Sequence, residues 1–68
     1  MREVVVKDGT IRLGQFLKLA DFIESGSDAK AILAQDIVTV NGRPEVRRGK
    51  QLQRGDVIGV ADTKVRVG

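Results

Sequence analysis

The side chains best suited to chemistry are the basic residues of one short stretch, residues 41–54. Five cationic side chains stand there against one carboxylate, a net charge of +4, whereas the other 54 residues hold seven cations and eight carboxylates. Four of the five cations are arginines, whose planar guanidinium group makes paired hydrogen bonds to phosphate. A local positive patch also attracts polyanions by releasing their counterions. The stretch therefore predicts polyanion binding, with a solvated loop that maintains solubility as the alternative. The five cations are Arg43, Arg47, Arg48, Lys50 and Arg54.

Catalysis and metal binding have little support in the residue types present. The chain contains neither cysteine nor histidine, which excludes disulfides, thiolate zinc sites and every catalytic triad that needs an imidazole base. Asp21, Glu24 and Asp56 are carboxylates, but no second group in the sequence is placed to activate them. The glycines are spaced as turn residues and form no phosphate-binding motif. We therefore predict no enzymatic activity, no catalytic residue, no metal site and no cofactor.

Length and hydropathy predict one small domain, residues 1–68. With 68 residues, 41% of them hydrophobic, the chain can build only a thin core. The longest uninterrupted apolar run is Ala31–Ala34, far short of the roughly 20 residues that span a bilayer. The first residues also lack the apolar stretch of a secretory signal. We therefore expect a cytoplasmic protein that does not insert into membranes.

The first part of the chain predicts a strand followed by a helix. The β-branched residues Val4–Val6 are typical of a short strand. The turn at Asp8-Gly9 leads to Thr10, a residue type that caps helices. From Leu13 the apolar residues recur at helical spacing, and the cluster Ser25–Ser27 should end this helix and begin another.

A second helix is predicted from Ser27 to Gln35. Ser25 and Asp28 have the spacing of a capping box at its start. Three apolar side chains at helical spacing should face the core, and the opposite face should carry Lys30 among small residues. The three core residues are Ala29, Ile32 and Leu33.

The last part of the chain predicts strands. Ile37–Val40 has β character and is followed by Asn41-Gly42, a strong signal for a tight hairpin turn. Pro44 favours an edge position in a sheet. Val57–Val60 and Lys64–Val67 predict two further strands. The order of elements predicts an α+β fold with a short N-terminal strand, two helices and then a small antiparallel sheet.

Aromatic residues are scarce, and this limits how the chain could bind a nucleic acid. There is no tyrosine or tryptophan, and Phe16 and Phe22 lie in apolar helical sequence where a core position is expected. Recognition of single-stranded RNA usually relies on exposed aromatic side chains that stack on bases. The composition therefore favours contacts to the phosphates, 2′-hydroxyl groups and shape of a structured RNA.

A series of short motifs resembles the S4 domain, the RNA-binding module named after ribosomal protein S4. The resemblance covers about residues 11–60, and the order and spacing of the motifs make it specific. The strings Leu13–Leu19 and Arg47–Lys50 are similar to small stand-alone bacterial S4 proteins. The matching positions are Arg12-Leu13, Leu17, Ser25, Ala29-Lys30, Leu33, Val38, Val40-Asn41-Gly42 and Gly55-Asp56-Val57-Ile58.

The resemblance implies an S4-like αL RNA-binding surface, in which two helices and the following β-loop grip a folded RNA. It implies a ribosome-associated protein with structured RNA, ribosomal or transfer RNA, as its partner and without a small-molecule substrate. Carried over by position, the resemblance implies RNA contacts from the two helices and the basic loop, namely Arg12, Lys30, Arg43, Arg47, Arg48 and Lys50. We expect Lys18 and Arg54 to extend this RNA-binding surface, and Asn41 and Gly42 to belong to it by shaping the turn that presents the loop.

Two glycines depart from the family pattern and shift the expected contacts. Gly14 stands where the pattern has aspartate, and Gly26 stands where it has the arginine of a Ser-Arg pair. Asp28 and Asp36 also add acids beside the second helix. We therefore expect residues 43–54 to make most of the RNA contacts. The alternative hypothesis is a protein-interaction adaptor that docks an acidic protein partner through the same segment.

Overall fold

The chain forms seven short strands and two helices. A computed structural model describes all residues, from Met1 to Gly68. Neither helix is long and apolar enough to cross a membrane. In chain order the elements are β1 (Arg2–Val4), β2 (Thr10–Arg12), α1 (Leu13–Leu19), α2 (Gly26–Ala34), β3 (Val38–Val40), β4 (Arg43–Pro44), β5 (Gln51–Gln53), β6 (Val57–Val60) and β7 (Thr63–Val67).

The main sheet has five strands in the order β1-β7-β6-β3-β4. Adjacent strands of this sheet pair antiparallel, except that β1 and β7 run parallel with Arg2 opposite Val65. The α+β class is confirmed, with two consecutive helices between strands, but the main sheet is mixed and not purely antiparallel. Strand β1 begins the chain and β7 ends it, so the two strands lie far apart in the sequence. They can therefore pair parallel, which two strands joined by a short turn cannot do.

The first strand lies two residues earlier than the sequence predicts. It covers Arg2–Val4, and Val5 is 72% exposed. Val6 is nevertheless buried, and its N–H donates to the carbonyl of Gly68 at 3.0 Å. The chain therefore stays beside the edge of the main sheet as far as Val6, although the regular pairing of β1 with β7 ends at Val4.

A second, two-stranded sheet was not predicted. β2 and β5 pair antiparallel, with Thr10 opposite Gln53 and Arg12 opposite Gln51. The prediction that Thr10 caps the first helix is wrong because Thr10 begins β2. Helix α1 follows this strand directly, with Arg12 in extended conformation at its N-cap position. This small sheet thus ties the start of α1 to the end of the basic loop.

Left-handed backbone at two aspartates ends the helices. Helix α1 stops at Leu19, well before Ser25, because Asp21 adopts a φ of 65°. Helix α2 ends in the same way before Asp36, which has a φ of 59°. The predicted capping box of α2 is confirmed, since the Ser25 N–H donates to the Asp28 carboxylate at 3.3 Å.

The hairpin between β3 and β4 is the turn that the sequence predicts. Asn41 and Gly42 have φ values of 54° and 85°, and Val40 pairs with Arg43 across the two-residue loop. Two consecutive positive φ values define a type I′ turn, which suits asparagine and glycine. Strand β4 is an edge strand, so the predicted edge position of Pro44 is confirmed.

Thirteen buried residues from both helices and both sheets form one hydrophobic core. Phe16 is fully buried, and Phe22 packs against the cluster from its edge, which confirms that both aromatic residues belong to the core. No polar or charged residue is buried. The charged side chains therefore all lie at the surface, and their function depends on how the fold groups them.

Candidate nucleic-acid interface

The basic loop that follows β4 is attached to the first turn of α1. Helix α1 has no side-chain cap; its first two N–H groups instead donate to loop carbonyls, Leu13 to Lys50 at 2.8 Å and Gly14 to Arg48 at 2.9 Å. The Arg12 guanidinium adds a bond to the Gly49 carbonyl at 3.0 Å. Helix starts need such acceptors because their first N–H groups have no partner within the helix. The loop is therefore held in one position beside the helix.

The docked loop and the two helices enclose a groove, here named the helix groove. Three cationic side chains line it, and no carboxylate does. Arg12 comes from the N-cap of α1, Lys18 from its last turn and Arg48 from the loop. Because no carboxylate lines the groove, no group of the protein competes there with a bound anion for these three cations. The seven lining residues are Arg12, Gly14, Gln15, Lys18, Gly26, Arg48 and Gly49.

A second groove, here named the turn groove, lies beside the β3–β4 hairpin and carries charges of both signs. Arg43, Arg47 and Lys50 line it together with the carboxylates of Glu45 and Asp56. Because these acids lie among the basic groups, the groove is less attractive to a polyanion than the helix groove.

The Glu45 carboxylate holds Arg47 in the protein's one salt bridge. Oε2 of Glu45 accepts from Nε of Arg47 at 3.0 Å, and Oε1 accepts from its terminal nitrogen at 3.1 Å. Backbone N–H groups of Arg47 and Val46 also donate to Oε2. The hydrogen bonds from the Arg47 side chain, followed by that from its backbone, lower the pKa of Glu45 from 4.5 to about 2. The same ion pair raises the pKa of Arg47.

Asn41 uses its side chain to hold the hairpin against the rest of the fold. Its amide nitrogen donates to the Asp56 carboxylate at 3.1 Å, and its amide oxygen accepts from the N–H of Val57 at 2.9 Å. Gly42, the next residue of the turn, has nothing within 4 Å of its Cβ position. The structure thus gives Asn41 a role in positioning the turn, while Gly42 lies open at its tip.

The remaining basic positions point in different directions. Lys30 lies on α2 and shares a third groove with Leu33, Ala34, Asp36, Val46 and Arg48. Arg54 turns to the N-terminal segment, where its guanidinium donates to the Val6 carbonyl at 3.3 Å and lies over Gly9. The basic stretch 41–54 is therefore not one patch: Arg48 faces the helices, Arg54 faces the N-terminal segment, and the rest line the turn groove.

Sequence reasoning did not assign Gly14, Gln15, Gly26 or Gly49 to the interface. One signal was available, because Arg12, Gln15 and Lys18 recur every three residues and such side chains share a helix face. Gly26 and Gly49 carried no comparable signal, since only the packing of distant segments brings them to the helix groove. No three of the Asp and Glu side chains come together in a way that could hold a metal ion.

Comparisons with known proteins agree with the fold and the motifs. The model of the S4 domain family matches residues 4–68. The chain is 56% identical over 48 residues to the probable ribosome maturation protein RlbA of Bacillus subtilis, covering 71% of this chain and 68% of that protein. It also resembles the crystal structure of the 30S ribosomal protein S4e from Thermoplasma acidophilum, with a TM-score of 0.64 and 26% identity. That match covers 88% of this chain but only 32% of the ribosomal protein. With its motifs, fold and family match in agreement, the chain belongs to the S4 domain family.

Proposed function

We propose that this protein is a non-catalytic RNA-binding protein that recognises structured RNA in association with the ribosome. The observation that carries the proposal is the helix groove, where three cationic side chains converge without a carboxylate. Membership of the S4 family supports an RNA-binding role. Similarity to a ribosome maturation protein and to a ribosomal protein supports ribosomal RNA as the class of target.

The contacts in this proposal are mainly to the RNA backbone. Phe16 is buried and Phe22 packs against the core, so neither offers an open ring on which bases could stack. Arg12, Lys18 and Arg48 have the chemistry to bind phosphate oxygens, which position a protein on a nucleic acid without reading its sequence. Recognition then depends on the shape of the folded RNA. Four further cations would extend the footprint beyond the groove: Lys30, Arg43, Arg47 and Lys50.

The alternative function is a protein-interaction adaptor that docks an acidic partner through the basic segment 43–54. The fold divides that segment between the helix groove, the turn groove and the N-terminal segment. Glu45 and Asp56 would also face an acidic protein at the turn groove. Division of the segment weakens either kind of acidic partner, so the S4 family match and the similarity to a ribosome maturation protein are what favour RNA over an acidic protein.

The test removes two groove cations and compares the loss with a charge-matched control. Lys18→Ala combined with Arg48→Ala removes one lysine and one arginine that line the helix groove and take part in no salt bridge. Lys64→Ala combined with Arg66→Ala removes the same two residue types from β7. These alternate with the buried Val65 and Val67, so they lie on the sheet face away from the core.

Binding is measured by fluorescence anisotropy with a labelled stem-loop RNA at several salt concentrations. The three cations of the helix groove should contribute about −2 to −3 to the slope of log K against log salt of the unmodified protein. The groove variant should flatten this slope by roughly 1.5 to 2, and the control should change it less. Equal slopes and affinities for the two double variants would contradict the proposal.

A further inference from the structure

We propose that Gly14 is a positioning residue for Arg48, because the missing side chain lets Arg48 lie across the first turn of α1. The inference rests on the proposed function for its RNA readout, but the contact itself can be tested without RNA. A Cβ placed on Gly14 would be 2.5 Å from Cγ of Arg48 and 3.2 Å from its Cδ. Non-bonded carbon atoms attract each other best at about 3.5 to 4 Å, so a Cβ on residue 14 would clash with Cγ of Arg48.

The backbone of α1 does not require glycine at this position. Gly14 is a helical residue and is not among the residues with positive φ. Gly14 lies in the first turn of α1, where glycine still favours the helix less than alanine does. Its advantage at position 14 is therefore the space that it leaves for Arg48.

The loop cannot move away to make room for a larger residue without losing bonds. Gly14 donates its N–H to the Arg48 carbonyl at 2.9 Å, and the flanking Leu13 and Arg12 bind Lys50 and Gly49. Cγ of Arg48 is only two bonds from its Cα, so a Cβ on residue 14 forces a rotation about χ1. That rotation swings the guanidinium group away from its present place, where Arg48 lines both the helix groove and the groove beside α2.

Gly14→Ala tests the inference, and Gly26→Ala is its matched control. Gly26 also lies in a helix and lines the same groove, but no atom comes within 4 Å of its Cβ position. We expect Gly14→Ala to lower the affinity for the stem-loop RNA about tenfold, the effect of losing one charge-assisted contact. Its salt slope should flatten by about one. Gly26→Ala controls for the effect of a helical glycine-to-alanine change on folding: its unfolding midpoint should equal or exceed that of the unmodified protein, because the added Cβ meets no atom within 4 Å and alanine favours a helix.

A double-mutant cycle separates positioning from a general structural effect. If Gly14 acts through Arg48, Gly14→Ala causes no further loss of affinity in an Arg48→Ala background. The same loss in both backgrounds would contradict the inference, as would an affinity of Gly14→Ala equal to that of the unmodified protein.

The contact is also measured directly by nuclear magnetic resonance on the unmodified protein. We expect a nuclear Overhauser effect between the Gly14 Hα and Arg48 Hγ protons, and its absence would overturn the positioning role even if Gly14→Ala fails to fold. A protein that shows this contact but binds no RNA would refute the proposed function and leave the contact established. The two failures are therefore distinguishable.

Discussion

Asn41→Ala distinguishes a residue that positions the hairpin from one that binds RNA. The S4 resemblance places Asn41 among the RNA-binding residues, whereas the structure shows its side chain bonded to Asp56 and Val57. Alanine removes both bonds and leaves a non-glycine residue at a φ of 54° without the local tolerance of asparagine. We therefore expect a loss of stability and not a loss of RNA contact.

The magnitude follows from the two bonds and the backbone conformation. Each hydrogen bond contributes about 1 kcal/mol net, and the left-handed conformation costs alanine about 1 kcal/mol more. The sum, about 3 kcal/mol, is large for a domain of this size, whose whole free energy of unfolding is about 3–10 kcal/mol. The midpoint of thermal unfolding should fall by roughly 12–24 °C.

The assay pairs thermal and urea unfolding with RNA binding at a temperature where both proteins are folded. Asn41→Gly is the control, because glycine also loses the two side-chain bonds but adopts the left-handed conformation freely. It should be roughly 1 kcal/mol less destabilised than Asn41→Ala. The affinity of both folded variants for the stem-loop RNA should stay within about twofold of the unmodified protein.

One result would refute this reasoning. If Asn41→Ala unfolds at the same temperature as the unmodified protein but binds the stem-loop RNA at least tenfold more weakly, the side chain contacts RNA and the turn does not depend on it. A drop in stability with unchanged affinity supports the role read from the structure.

Two further predictions concern the salt bridge and the core. The pKa of Glu45 is lowered from 4.5 to about 2, so its ion pair stabilises the fold above pH 4.5 and this contribution is lost as the pH falls from about 4.5 to about 2. In thermal unfolding between pH 7 and 2, the Glu45→Gln variant should therefore have a lower unfolding midpoint than the unmodified protein at neutral pH and the same midpoint at the acid end. A difference in midpoint that stays constant over this pH range would contradict the ion pair as the cause. Leu52→Ala empties a fully buried position of β5, which should cost about 2–4 kcal/mol and lower the unfolding midpoint by roughly 10–30 °C in calorimetry. A shift of less than about 5 °C would show that the core closes around the gap.

The sequence alone determined the features that depend on neighbouring residues. The type I′ turn at Asn41-Gly42 follows from the backbone freedom of those two residue types. The capping box of Ser25 and Asp28 and the apolar face of α2 follow from spacing within a single helix. Together with the S4 motifs, these local patterns were enough to predict the fold class and the family.

The grouping of the charges was decided by contacts between distant parts of the chain. Arg12 binds the carbonyl of a residue 37 positions away, and Arg54 binds one 48 positions away. Such pairings depend on the packing of the whole core, so the basic stretch looks continuous in the sequence but divides among three surfaces in the fold. Gly14 shows the same limit: it departs from the family pattern in the sequence, and only the approach of Arg48 gives that departure a physical reason.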